Sequence, residues 1–132
     1  MDERGRYLAG LEVRRDVLGE AHVARAIENA NELTEEFQNL LTRYAWGEIW
    51  TRPGLPRDTR SLITLAILVA QGREAELEMH LRGAQRNGVT PEQIKELLLQ
   101  TAVYCGLPAA NAAFRVADRV LNAPAPAEET PG

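Results

Sequence analysis

The chain has 132 residues, 45% hydrophobic and 26% charged, enough apolar material for one globular domain and not for a second of ordinary size. Its 15 basic and 19 acidic side chains leave a net charge of -4, the reverse of the balance with which nucleic-acid binders neutralise phosphates, so no nucleic-acid partner is expected. The single cysteine, Cys105, excludes an internal disulfide and a CxxC redox pair; with only 2 histidines beside it, no protein-only metal site is expected.

The opening MDERGRYLAG carries charge where a signal peptide needs an apolar run, and the most apolar stretch, Leu62 to Ala70, is about half of a membrane span. The expectation is a soluble cytoplasmic protein without a membrane partner. Every basic residue except Lys95 is arginine, a bias that supplies forks for carboxylates or simply follows genome composition.

Helical spacing recurs along the chain and strand alternation does not, so the fold class is all-α. A first helix is predicted from about Asp2 to Leu18, stopped by Gly19, and a short second one from about Glu20 to Ala30. The Thr34 hydroxyl is expected to cap a third helix, with Glu35 and Glu36 at its positive end, running to about Trp50 with an irregularity at Gly47. In TRPGLPRDTR, Pro53, Gly54 and Pro56 stop that helix. From Arg57 or Asp58 to about Gln71, SLITLAILVA is apolar on all sides and predicts a central helix surrounded by others. Another runs from about Arg73 to Asn87 and closes on a left-handed Gly88. Thr90 and Pro91 then cap a helix to about Tyr104. Gly106 and Pro108 break the chain before a last helix, about Ala109 to Leu121, whose face of Ala109, Ala110, Ala112, Ala113 and Ala117 permits close packing. The domain is expected to end near residue 122, and the proline-rich residues 123–132 to form a disordered tail.

Two places could carry chemistry. Glu76 and His80, four residues apart, share a helix face, where a carboxylate can orient an imidazole for proton transfer; a solvated histidine beside a surface glutamate has the same spacing. Trp46, Glu48, Trp50, Arg52, Arg57 and Arg60 cluster around the Pro-rich turn, a mixture that suits a small-anion pocket, although the two tryptophans could equally be core anchors. Arg60 is a candidate anion anchor, and either arginine could instead bridge to Asp58. Cys105 has no neighbouring histidine or lysine to activate it, and Asn111 must find partners if it is buried.

The segments AWGEIWTRPGLPRDTRSLITLA, MHLRGAQRNGVTPEQIKELLLQ and AVYCGLPAANAAFRVA resemble the carboxymuconolactone decarboxylase family over about Phe37 to Leu121. They carry its WGEIW, RPGL, HxxxAxxxG (His80, Ala84, Gly88) and YCGLPAAN elements in order. Related AhpD-like redox proteins have a CxxCxxxH motif; aligned on His80, its cysteines fall at Arg73 and Glu76, which removes the dithiol needed for a thiol redox cycle. The resemblance implies an AhpD-like bundle of six to seven helices assembled as a homo-oligomer, a trimer or trimer of dimers. It also implies cofactor-free decarboxylation of a dicarboxylate lactone, 4-carboxymuconolactone, to 3-oxoadipate enol-lactone and carbon dioxide in the β-ketoadipate pathway. On that reading His80 donates a proton, Glu76 or Glu48 sets its protonation, Arg60 or Arg57 anchors a carboxylate, and Trp46, Tyr104 and Asn111 line the pocket. An AhpD-like oxidoreductase using Cys105 alone and a non-catalytic acid-binding oligomer are the alternatives.

Overall fold

The computed structural model describes residues 2–122, and the chain divides between Leu55 and Pro56 into two compact units. Among the described residues every regular element is helical, as the spacing predicts. The 123–132 tail lies outside the described residues.

The first unit holds α1 (Glu3–Leu18), α2 (Glu20–Glu28) and α3 (Glu35–Leu41), which continues as a π-helix over Thr42–Ile49. The Asp2 carboxylate caps α1 by accepting from the Gly5 amide at 2.7 Å. The expected Thr34 cap is corrected: its backbone is already helical (φ -101°, ψ -12°), and its hydroxyl makes no capping bond. Asn31 serves the turn instead, its Oδ1 accepting from the Leu33 and Thr34 amides at 2.9 and 3.1 Å. The irregularity expected at Gly47 spreads over the whole π-helix, where Trp50 donates five residues back to the Ala45 carbonyl at 3.0 Å. Glycine makes the packing of α1 on this segment possible. A Cβ on Gly10 would collide with the Thr42 carbonyl, and one on Gly47 with the Arg6 carbonyl.

The second unit holds α4 (Arg57–Gln71), α5 (Glu74–Arg86), α6 (Pro91–Cys105) and α7 (Leu107–Asn122). Leu65, Val69, Leu77, Leu81, Ile94, Leu98 and Val116 fill its core, with Ala113 and Ala117 of the small face letting α7 approach. α4 and α5 both end in Schellman turns. Arg73 donates to Leu68 at 3.0 Å and Gly72 to Val69 at 3.1 Å; Val89 donates to Ala84 at 2.9 Å and Gly88 to Gln85 at 3.1 Å. Thr90 and Gln93 form a reciprocal capping box ahead of Pro91.

Two expectations change here. α7 begins at Leu107, because Gly106 (φ 99°) alone turns the chain and Pro108 fits a first helical turn, where its missing amide hydrogen has no partner to lose. α4 is not covered all round: Ser61, Leu65 and Val69 are buried, whereas Ile63 and Ile67 stay 45% and 49% exposed. Among the described residues no helix is long and apolar enough to cross a membrane.

Candidate functional site

In the second unit the chain enters α4 through the extended Pro56, and the Asp58 carboxylate accepts from the Thr59 amide at 2.8 Å. Arg57 and Arg60 add fixed charge to the positive end of the helix dipole. Arg57 is exposed and Arg60 half-buried, with its Nε out of solvent. The next residue, Ser61, is buried and accepts from Asn87 Nδ2 at 2.9 Å. This bond ties the start of α4 to the end of α5.

His80 lies on the shoulder of α5, half-buried between the core residues Leu77 and Leu81. It stands about two turns, ~10 Å along the helix, before Asn87, which bonds Ser61 at the start of α4. Glu76, one turn earlier on the same helix, is exposed. The second unit thus carries both a fixed cationic helix start on α4 and an imidazole on α5, a charge that can hold an anion and a group that can transfer a proton.

The remaining predicted residues are distributed over both units. Tyr104 is 79% exposed and Asn111 is exposed too. Cys105 is a free thiol, half-buried at the end of α6. Trp46 and Glu48 belong to the first unit. Trp46 is buried, stacked on Trp50 with centroids 4.9 Å apart, and Glu48 pairs with Arg6 at 3.4 Å. Among the described residues no three His, Cys, Asp or Glu side chains gather as a metal site.

Sequence reasoning passed over two charged groups. Glu78 accepts from Arg82 at 2.9 Å and from Arg119 at 3.1 Å, which joins α5 to α7 and holds its carboxyl below the usual range. Arg14 is 5% exposed in the first unit, held by Thr42 Oγ1 at 3.2 Å and Gln38 Oε1 at 3.0 Å. Burial lowers the pKa of its guanidinium, against an opposing effect of Tyr7. Its signal in the sequence was positional, since it occupies the same helical stripe as Gly10, Val13 and Val17.

Residues 35–119 match the model of the Carboxymuconolactone decarboxylase family. The chain is 57% identical over 121 residues to a 4-carboxymuconolactone decarboxylase of Acinetobacter baylyi, covering 92% of this chain and 90% of that one. It is 46% identical over 113 residues to the nitrosuccinic acid decarboxylase npaB of Metarhizium robertsii, covering 86% and 79%. A 48-residue 4-carboxymuconolactone decarboxylase sequence of Pseudomonas putida matches over its full length at 54% identity, 36% of this chain.

Proposed function

Because the chain belongs to the carboxymuconolactone decarboxylase family, we propose that it decarboxylates 4-carboxymuconolactone to 3-oxoadipate enol-lactone and carbon dioxide, without a cofactor, in the cytoplasm. The observation that carries this reading is 57% identity across 92% of the chain to a relative of that activity. The nitrosuccinic acid decarboxylase supports carboxyl loss from a small dicarboxylic acid as the shared chemistry.

The substrate supplies its own electron sink. As the ring carboxylate leaves as carbon dioxide, its bonding pair moves through the ring double bond to the lactone carbonyl, forming a dienolate. The protein must then grip the acetate arm, donate toward the developing oxyanion, and return a proton to carbon. We assign the proton donor to His80 and the carboxylate anchor to Arg60, with Arg57 farther out. Glu76 tunes His80 in preference to Glu48, which Arg6 already holds. Trp46, Tyr104 and Asn111 remain proposed pocket residues. The exposed Tyr104 and Asn111 would meet a ligand where a second copy covers this surface, which fits the homo-oligomer the family implies. An open, mainly apolar groove of about 540 Å³ on α4 and α6, lined by Leu62, Ile63, Ala66 and Leu97 among others, is the face such a copy would cover. Sedimentation of the purified chain as a monomer alone would sink that part.

Kinetics of His80→Ala and Arg60→Ala test the roles. Loss of a general acid should lower kcat by about 10²–10⁴-fold, whereas loss of Arg60 should first raise KM. Both folded variants turning over near the wild-type rate would remove these assignments. A wild-type chain that leaves 4-carboxymuconolactone unchanged would remove the reaction itself.

A further inference from the structure

Arg14 has no place in the proposed chemistry, yet its surroundings are those of a receptor. We infer that the first unit binds a small monocarboxylate on Arg14, in a pocket lined by Tyr7, Arg14, Ile27, Glu35, Gln38 and Thr42. The pocket has a volume of about 170 Å³. At ~30 Å³ per water molecule that is room for about five waters, or for a carboxylate carrying a short carbon chain.

An arginine stays ionised at any ordinary pH, and a charge taken out of water is costly unless an opposite charge faces it. Arg14 is 95% out of solvent, the complement of its 5% exposure, and both of its bonding partners, Thr42 Oγ1 and Gln38 Oε1, are neutral. Its Nε is buried with no hydrogen-bond partner, so the guanidinium fork is only partly used. Among the described residues no carboxylate pairs with it. Thr42 Oγ1 accepts from Arg14 Nη1 while its hydroxyl donates to the Gln38 carbonyl at 2.8 Å, an arrangement that holds it in place and leaves Nε unserved. A planar carboxylate is the shape that fits a guanidinium fork in two parallel bonds.

Glu35 sets the charge the pocket accepts. Its exposed carboxylate lines the same pocket, so Arg14 and Glu35 together sum to zero before a ligand enters. A monoanion adds one charge to that balance, and a phosphate dianion or a dicarboxylate adds two next to Glu35. The site therefore favours a single carboxylate, whether a general short-chain acid or the lactone monoacid formed by the proposed decarboxylation.

The test reads the Arg14 Nε–H signal of the full-length protein by NMR while propionate, inorganic phosphate and, separately, the product of the decarboxylation are titrated at constant ionic strength. Propionate should shift that signal saturably with a Kd on the order of 1 mM, and phosphate should not. Arg14→Lys keeps the charge but loses the fork, and should weaken binding about tenfold. Gln38→Glu places a carboxylate against Arg14 from within; it should abolish the propionate response and keep the fold even if Arg14→Lys does not. Tighter binding of the lactone acid than of propionate assigns the site to the product, and equal binding to short-chain acids generally. No saturable shift in the wild type, an unchanged response in Gln38→Glu, or preference for phosphate overturns the inference. Because the readout needs no turnover, His80→Ala should bind propionate normally, which separates this site from the decarboxylation assignments.

Discussion

The two units are built on different physics. The second is a conventional apolar core: Leu65, Leu77, Leu81, Ile94 and Leu98 are all at or below 2% exposure, α4 and α5 end in Schellman turns, and α6 starts from a capping box. The first has a π-helix, a contact between backbones at Gly10 and Gly47, and an arginine with neutral partners where an aliphatic side chain would ordinarily sit. A core of aliphatic side chains spreads its stabilisation over many contacts. A backbone crossing and a buried charge concentrate theirs in a few atoms, so the first unit should be sensitive to very small changes at specific places.

The largest effect is expected in the second unit, where Leu81 is 0% exposed and touches the centre of the core. Leu81→Ala should cost about 2–5 kcal/mol, the transfer free energy of the lost methyl and methylene groups plus the cavity they leave. Urea denaturation measures it directly. A loss below 1 kcal/mol, roughly that of a surface change, would show that this core is not the dominant support of its unit.

Gly47→Ala sharpens the other side of the comparison. A single methyl there meets the Arg6 carbonyl, which is backbone and cannot swing away as a flexible side chain would. The expected cost is about 1–3 kcal/mol, the range for overpacking. Hydrogen exchange should show the loss as faster opening of the amides in α1 and the π-helix. An unchanged exchange pattern would mean that the close approach does not hold the first unit together.

This contrast also explains what the sequence made legible. In the second unit, Thr90-Pro91, Gly72 and Gly88 are local signals whose chemistry depends on neighbouring residues alone, so helix ends could be read to within a residue or two. Pro108 misled because the same residue breaks a helix interior and starts a helix, and only the chain path through Gly106 decides between them. The exposed Ile63 and Ile67 misled because apolarity on every side of α4 records that something covers each face, without recording what. The first unit was less legible. Nothing local marks a π-helix, and Thr34 offers a cap by composition that Asn31 fills by geometry. At the candidate site the family motif brought out His80, whereas Arg14 was hidden by its very regularity, one charged residue on an otherwise apolar stripe.

The smallest effect tests whether charge matters as little in the second unit as its apolar core implies. Glu78 links α5 to α7 through Arg82 and Arg119, and the hydrogen bonds to these two lower its pKa against a weaker opposing effect of desolvation. A carboxyl whose folded pKa lies below its unfolded one contributes stability above the unfolded value, and that contribution fades as pH falls through the folded value. Its side chain is 33% exposed, so solvent screens the pair and the contribution should be no more than about 1 kcal/mol. Glu78→Gln should therefore lower the urea midpoint slightly at neutral pH and more weakly in high salt, and the difference from wild type should fade as acid protonates the wild-type carboxyl, at a pH below the usual carboxylate range because the two arginines hold it down. A difference that persists in acid would mean that Glu78 acts through packing of its stem rather than through its charge. A loss comparable to that of Leu81→Ala would place an ionic clamp beside the apolar core as a main support of the second unit, and the contrast between the two units would then lie in where their buried charges are paired.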